Sequence, residues 1–166
     1  PPRSTLFPYT TLFRSPRLAA RYTVVPGTTL KGALGLYHQA PLEESVRPWG
    51  DGTLRSSKAL HASAGFEQAL GEHVGLSLDG FYKRLSDLIV PRADTSEAVG
   101  VAYGNGGSGR VVGLETLLRW KPGGRFFGWV AYTLSRSERR EVDGQPLHLF
   151  QWDQTHILSA VGSYDL

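Results

Sequence analysis

Three groups of residues in this chain have types and spacings that invite a chemical reading. The first is Gly104-Asn105-Gly106-Gly107-Ser108-Gly109, which satisfies G-x-G-x-x-G. A dinucleotide fingerprint needs a strand before it and a crossover helix after it. Here a strand follows at Arg110 and nothing nearby reads as a helix, so the segment reads as a flexible loop. A Walker phosphate loop is excluded, because Arg110 stands where Lys and then Ser or Thr are required. The second group is the histidines, His38, His61, His73, His148 and His156. None shows the i, i+4 or His-x-His spacing of metal ligands. His38, His148 and His156 are placed to converge on one rim, where a metal chelate would be captured. The third group is Glu67, Asp79 and Glu115, which would do acid–base work only if two of them met in space. Lining a watery channel suits them better. Glu138-Arg139-Arg140-Glu141 reads as a mixed-charge loop, either solvated or in contact with an anionic ligand or lipopolysaccharide. No nucleophile constellation is present and no cofactor or protein-held metal is indicated. The expectation is a binding protein, not an enzyme.

Composition narrows the class further. The chain has 166 residues and no Cys, which excludes a disulfide framework and Cys-ligated metal. No apolar run approaches the ~18 residues of a transmembrane helix. The formal charge of +3 is inflated by Arg3 and Arg14, and the remainder is close to neutral. No Lys/Arg cluster suggests a nucleic-acid partner.

The elements that must position these residues are strands. Val112, Leu114, Thr116, Leu118 and Trp120 share one parity, and Val111, Gly113, Glu115, Leu117 and Arg119 share the other. After a turn at Lys121-Pro122-Gly123-Gly124-Arg125, Gly128, Val130, Tyr132 and Leu134 alternate with Trp129, Ala131, Thr133 and Ser135. Val111, Leu114, Leu117 and Leu118 also fall near helical spacing. The β-branched pair, the interior Gly and the Pro-Gly-Gly turn favour strand. Each arm reaches the ~9–11 residues of a tilted membrane-spanning strand.

The same alternation recurs along the chain. Leu18, Ala20 and Tyr22 precede a short turn at Pro26-Gly27, and Leu30, Gly32, Leu34 and Leu36 follow it. After a polar segment at 39–57 come Leu60, Ala62, Ala64 and Phe66. A short turn at Gly71-Glu72-His73 leads to Val74, Leu76, Leu78, Gly80 and Tyr82. Long connections at 84–109 and 138–151 flank the hairpin, and a last strand runs from Trp152 to Leu166. The expectation is all-β, an antiparallel up-and-down meander of about seven long strands, with connections alternately short and long. Soluble sandwiches have no reason to gather every long loop at one end, whereas outer-membrane barrels have short periplasmic turns and long external loops.

Charge placement follows the same logic. Lys31, Glu67, Asp79, Glu115 and Arg119 all lie within strands, opposite the apolar parity. A Lys or Arg on the lipid face near the midplane costs ~2–4 kcal/mol. These five are therefore the candidate lumen-facing residues, while Leu34, Phe66, Leu78, Leu118 and Val130 face outer-membrane lipid. His38, Arg139, Arg140 and His148 are the candidate contacts at the external rim. Trp120, Phe126, Phe127 and Tyr164 gather at the short-turn end, and Tyr37, Tyr82 and Trp152 at the long-loop end, as aromatic girdles do. The competing reading is a soluble β-sandwich binding or structural module, in which polar-out alternation looks the same.

Gly80-Phe81-Tyr82-Lys83, Tyr103-Gly104-Asn105, Gly113-Leu114-Glu115, Gly128-Trp129-Val130-Ala131-Tyr132-Thr133 and Asp153-Gln154-Thr155-His156, in this order and spacing, resemble the barrel of TonB-dependent outer-membrane receptors. The resemblance covers Pro16 to Leu166. It implies a place in a transmembrane barrel of about 22 strands, in the cell outer membrane. It also implies import of a siderophore, cobalamin or similar scarce solute, a small-molecule or metal-chelate ligand, and coupling to the TonB complex through an N-terminal region not seen here. A plug, that coupling segment and an aromatic closing strand are not found, and seven is an odd strand number, so the chain is expected to be an interior piece of such a barrel. Taken alone, it is expected to aggregate. Residues 1–15 are set apart from it. Thr5-Leu6-Phe7 recurs as Thr11-Leu12-Phe13 between Arg-Ser pairs, and the stretch resembles a translated sequencing adapter, a non-native segment.

Overall fold

The computed structural model describes residues 15–41, 54–91, 103–121, 125–141 and 145–165. The proposed adapter-like segment falls outside them up to residue 14, as do residues 42–53, 92–102 and 142–144 of the long connections and 122–124 of the expected turn. Among the described residues every regular element is a strand: β1 (Arg17–Val25), β2 (Thr28–Gln39), β3 (Ser57–Leu70), β4 (Val74–Pro91), β5 (Tyr103–Trp120), β6 (Phe126–Arg140), β7 (His148–Leu149) and β8 (His156–Tyr164). They form one antiparallel sheet in chain order from β1 to β7, with β8 also paired to β6. This is the expected meander.

Turn chemistry sets the short connections. Gly27 and Gly71 adopt φ of 89° and 76°, which side chains with a Cβ rarely tolerate. The Gly27 carbonyl then accepts a hydrogen bond from the Ala69 N–H at 2.7 Å, tying the two short turns together.

Three expectations need correction. β4 and β5 are each 18 residues long, so residues 84–91 and 103–109 belong to a tall hairpin and not to a loop. The glycine segment 104–109 lies inside β5, where Gly107 and Gly109 pair with Leu88 and Leu85. The physical reason is close approach. A Cβ at Gly107 would stand 2.7 Å from Val90 Cγ1 and 2.8 Å from Leu88 Cβ, so glycine here lets β4 side chains cross the strand. Likewise Glu138, Arg139 and Arg140 close β6 and are not a loop.

The last strand is split, which adds an eighth element. β7 pairs Glu138 and Arg139, and β8 pairs 126–134, along the same edge of β6. Between them Asp153 substitutes for the missing ladder. Its carboxylate accepts from Ser137 N at 2.7 Å and from Thr155 Oγ1 at 2.8 Å, and the Thr155 carbonyl accepts from Ser135 N at 2.9 Å. The Asp-Gln-Thr-His sequence is thus a clasp that lets the chain leave and rejoin the sheet.

The sheet is a single layer. Among the described residues no hydrophobic side chain is buried, and Leu18, Tyr22 and Leu158 are about 70% exposed. A soluble sandwich would cover these with a second sheet. Among the described residues no helix is long and apolar enough to cross a membrane.

Candidate functional site

The register sorts the side chains into two faces with little mixing. One cross-strand row reads Tyr22, Leu30, Phe66, Leu78, Thr116, Tyr132, Leu158. The next row along the strands falls on the opposite face and reads Arg21, Lys31, Gly65, Asp79, Glu115, Thr133, Ile157. Successive side chains alternate in this way because the backbone is pleated.

On the apolar face the pattern has sharp limits. In β5 it runs Trp120, Leu118, Thr116, Leu114, Val112 and then meets Arg110. In β4 it runs from Val74 to Tyr82 and meets Arg84, and in β6 from Phe126 to Leu134 before Arg136. Val112 to Trp120 spans about 27 Å at ~3.4 Å per residue. Tilted by ~40°, that is about 21 Å of height, which the end side chains extend towards the ~25 Å apolar band of barrel proteins. Trp120 and Phe126 meet edge to face at its lower limit, with ring centroids 6.0 Å apart, and Tyr164 is level with Phe126. Phe127 takes the opposite parity, beside Ser163.

The polar face is concave around an open hollow of about 600 Å³. All five candidate lumen residues line it: Lys31, Glu67, Asp79, Glu115 and Arg119. Lys31 is its organising cation. Its three ammonium protons have three acceptors, Asp79 Oδ2 at 2.7 Å, Ser77 Oγ at 2.9 Å and Glu67 Oε1 at 3.3 Å. Glu67 is held from its other side by Arg21. Asp79 and Glu115 are direct cross-strand partners, an arrangement that repels when both are ionised. The Lys31 ammonium offsets that repulsion. Glu115 and Arg119 are exposed and have no ion-pair partner among the described residues, so their charges face the hollow uncommitted. Arg21 and Ser77 were missed in the sequence reading. The signal for both was parity, since each shares the strand face of the five.

At the long-loop end a second hollow, of about 390 Å³, is lined by Gln39, Ser57, Leu88, Val90, Arg139, Arg140 and Phe150 among others. The Arg139 guanidinium stacks on Phe150 at 3.6 Å from the ring centre, and its buried Nε has no hydrogen-bond partner among the described residues. Of the expected rim contacts, Arg139 and Arg140 line this hollow, and His148 is the register partner of Arg139 on the neighbouring strand. His38 lies on β2 opposite Lys58, within 3.3 Å of Ser15 Oγ. His156 lies on the apolar face, its Nδ1 2.8 Å from the Tyr132 hydroxyl. The histidines therefore do not converge, and no group of three or more metal-ligating side chains occurs among the described residues.

This rim is propped by a device that sequence reading did not foresee. Asp87 sits at a bulge between Leu85 and Leu88 with φ of 54°, a conformation that Asp tolerates better than most residues. Its carbonyl accepts from Asn105 Nδ2 at 2.8 Å and from Ser57 Oγ at 3.2 Å. Its carboxylate pairs with Lys58 at 2.9 Å and Arg55 at 3.5 Å. The Lys58 hydrogen bond holds the Asp87 carboxyl below the ordinary aspartate range.

Comparison with known proteins bears on this geometry. Residues 3–160 match the family model for the TonB dependent receptor-like β-barrel. No curated protein sequence matches significantly. Among solved structures, the chain is similar to the pyoverdine outer membrane receptor of Pseudomonas aeruginosa PAO1 bound to pyoverdine, at 17% identity and a TM-score of 0.70, covering 92% of this chain and 22% of that one. It is also similar to the ferric-catecholate import receptor of Escherichia coli K12, at 14% identity and a TM-score of 0.67, covering 89% and 22%. An iron transporter of Neisseria meningitidis aligns at 14% identity and a TM-score of 0.64, covering 81% and 21%. This chain thus spans about a fifth of the length of each.

Proposed function

The chain belongs to the family of TonB-dependent receptor-like β-barrels, and on that premise we propose that it forms part of the barrel wall of an outer-membrane receptor importing a siderophore, cobalamin or similar scarce solute. The observation that carries this reading is the division of the sheet by parity, with an uncovered apolar belt on one face and a charged hollow on the other. A lone sheet with an exposed apolar face is stable only where that face is solvated by something apolar, and a lipid bilayer supplies it.

In this reading residues 16–166 are barrel, and Lys31, Glu67, Asp79, Glu115 and Arg119 line the lumen. Lys31, Glu67 and Asp79 neutralise one another and shape the wall. Glu115 and Arg119 are the groups left to meet a passing solute or another part of the receptor. Arg139, with Arg140 and His148 beside it, offers a cationic contact at the outer rim for an anionic chelate, and His38 stands on the same side of the belt. Energy would come through the TonB complex acting on a part of the receptor outside this chain.

The test is uptake. Cells whose receptor contains this chain are given a labelled ferric catecholate, a ferric hydroxamate and cyanocobalamin. Uptake of one of them should depend on the receptor and stop when a protonophore collapses the inner-membrane gradient. Failure of all three to enter through the receptor would overturn the reading.

A further inference from the structure

Asn105 is the only asparagine in the chain, and a glycine follows it. In an Asn-Gly pair the glycine backbone nitrogen can reach the side-chain amide carbon, because no Cβ on the second residue shields the approach. A regular ladder would prevent this by fixing the backbone, but here the ladder is interrupted. Between the pairs Leu88–Gly107 and Val90–Gly104, β4 supplies Ile89 alone while β5 supplies both Asn105 and Gly106. That is the two-against-one count of a bulge. The register with β6 begins only at Ser108. Neither Asn105 nor Gly106 has a register partner among the described residues, and Gly106 is exposed to water.

Asn105 is held by its side chain instead. Its Oδ1 accepts from the Arg55 N–H at 2.8 Å, and its Nδ2 donates to the Arg55 carbonyl and to the Asp87 carbonyl, each at 2.8 Å. Both amide N–H donors are used. One side chain thus pairs both main-chain groups of Arg55, as a neighbouring strand would. It latches the end of the 39–57 connection to the bulged hairpin of β4 and β5.

We propose that Asn105-Gly106 is a self-modification site, at which deamidation releases this latch. The Gly106 nitrogen attacks Asn105 Cγ, and the new C–N bond closes a cyclic imide. The Cγ–Nδ2 bond breaks, and ammonia leaves with the proton from the Gly106 nitrogen. Water then opens the ring at either carbonyl, giving aspartate or isoaspartate, with no oxidant or cofactor required. The three hydrogen bonds restrain the amide, so reaction proceeds from the molecules in which the latch has opened locally. The product cannot re-form the latch. A carboxylate has no N–H to donate, and it would face the Arg55 and Asp87 carbonyls across the 2.8 Å that the donors now span. The site stands whatever solute the receptor carries.

Asp79-Gly80 supplies an internal control, since aspartate before glycine can close the same imide with loss of water. There both residues are paired on either side, Asp79 with Gly65 and Glu115, and Gly80 with Ala64 and Leu114.

The experiment ages the receptor containing this chain, in outer membranes, at mildly alkaline pH, and maps aspartate and isoaspartate by peptide mass spectrometry. Position 105 should convert about tenfold more slowly than a synthetic peptide of residues 103–110, as when local opening frees the amide in roughly one molecule in ten. Asp79 should stay unchanged. Arg55→Pro removes the N–H that Oδ1 accepts and should bring the rate to within about threefold of the peptide's. Gly106→Ala should slow conversion severalfold without disturbing the fold, because its φ is not positive and a Cβ there would come no nearer than 3.9 Å to the Glu141 carbonyl. If Arg55→Pro fails to fold, Asn105→Asp serves. Trypsin should cut after Arg55 faster in Asn105→Asp, and in the aged wild type, than in the fresh receptor.

An intact amide at position 105 in both the aged wild type and Arg55→Pro would overturn the proposal. So would a wild-type rate equal to the peptide's, isomerisation of Asp79 as fast as conversion at 105, or unchanged cleavage after Arg55 in Asn105→Asp.

Discussion

Lys31 shows how a single side chain can set the chemistry of a whole strand face. Its ammonium is the only cation reaching Asp79 among the described residues, and it shares Glu67 with Arg21. Truncating one partner of such a group leaves the others desolvated and unmatched. Lys31→Met should destabilise the folded receptor by about 1–3 kcal/mol, seen as a lower midpoint in urea unfolding followed by heat-modifiable gel mobility. Replacing Lys31 and Asp79 together with apolar residues of similar shape should cost less than Lys31→Met alone. An equal or larger loss in the double variant would count against the three-acceptor arrangement. At the rim, Asp87 carries a pH dependence of definite sign. Its folded-state value lies below its unfolded one because Lys58 hydrogen-bonds the carboxylate. The stabilisation is therefore fully present above the ordinary aspartate range and is lost as pH falls through the depressed value. Amide-exchange protection at the outer ends of β3 and β4 should drop on acidification, and Asp87→Asn should abolish that step.

At the scale of elements, parity was legible in the sequence and strand ends were not. Alternation of Leu76, Leu78, Gly80 and Tyr82 against Ser77, Asp79 and Phe81 is a local property, so both the strand and its two faces could be read directly. The extension of β4 and β5 past the belt was hidden for two reasons. Residues 84–91 lose clean alternation at the Asp87 bulge, and 103–109 look like a loop because they are mostly glycine. That glycine serves cross-strand packing against Leu88 and Val90, a relation between strands that single-strand periodicity does not carry. The split of the last strand was hidden likewise, since Asp153 acts on Ser137, sixteen residues away. Asp153→Ala should leave the Ser137 N–H and Thr155 Oγ1 without their acceptor and cost about 1–2 kcal/mol. Hydrogen exchange should speed up at Ser137 and Thr155 while β5 stays protected. Uniform loss of protection across the sheet would instead make the clasp part of the global fold.

For the whole molecule, the lack of a hydrophobic core among the described residues is the most informative property. Among the described residues no hydrophobic side chain is buried, many on one face are exposed, and β1 and β8 each pair on one side only. Water is a poor solvent for such a sheet, and open edges invite pairing with other chains. A bilayer together with neighbouring strands resolves both problems. Loop asymmetry and parity together pointed there from the sequence. The central claim is that the two faces meet different solvents, and the absence of Cys from this chain makes it open to single-cysteine labelling. In receptor-bearing outer membranes, a charged, water-soluble maleimide should modify Ser63→Cys and Thr133→Cys on the concave face. It should leave Leu78→Cys and Leu118→Cys untouched until detergent is added. Equal labelling of Leu78→Cys and Thr133→Cys in intact membranes would contradict the account.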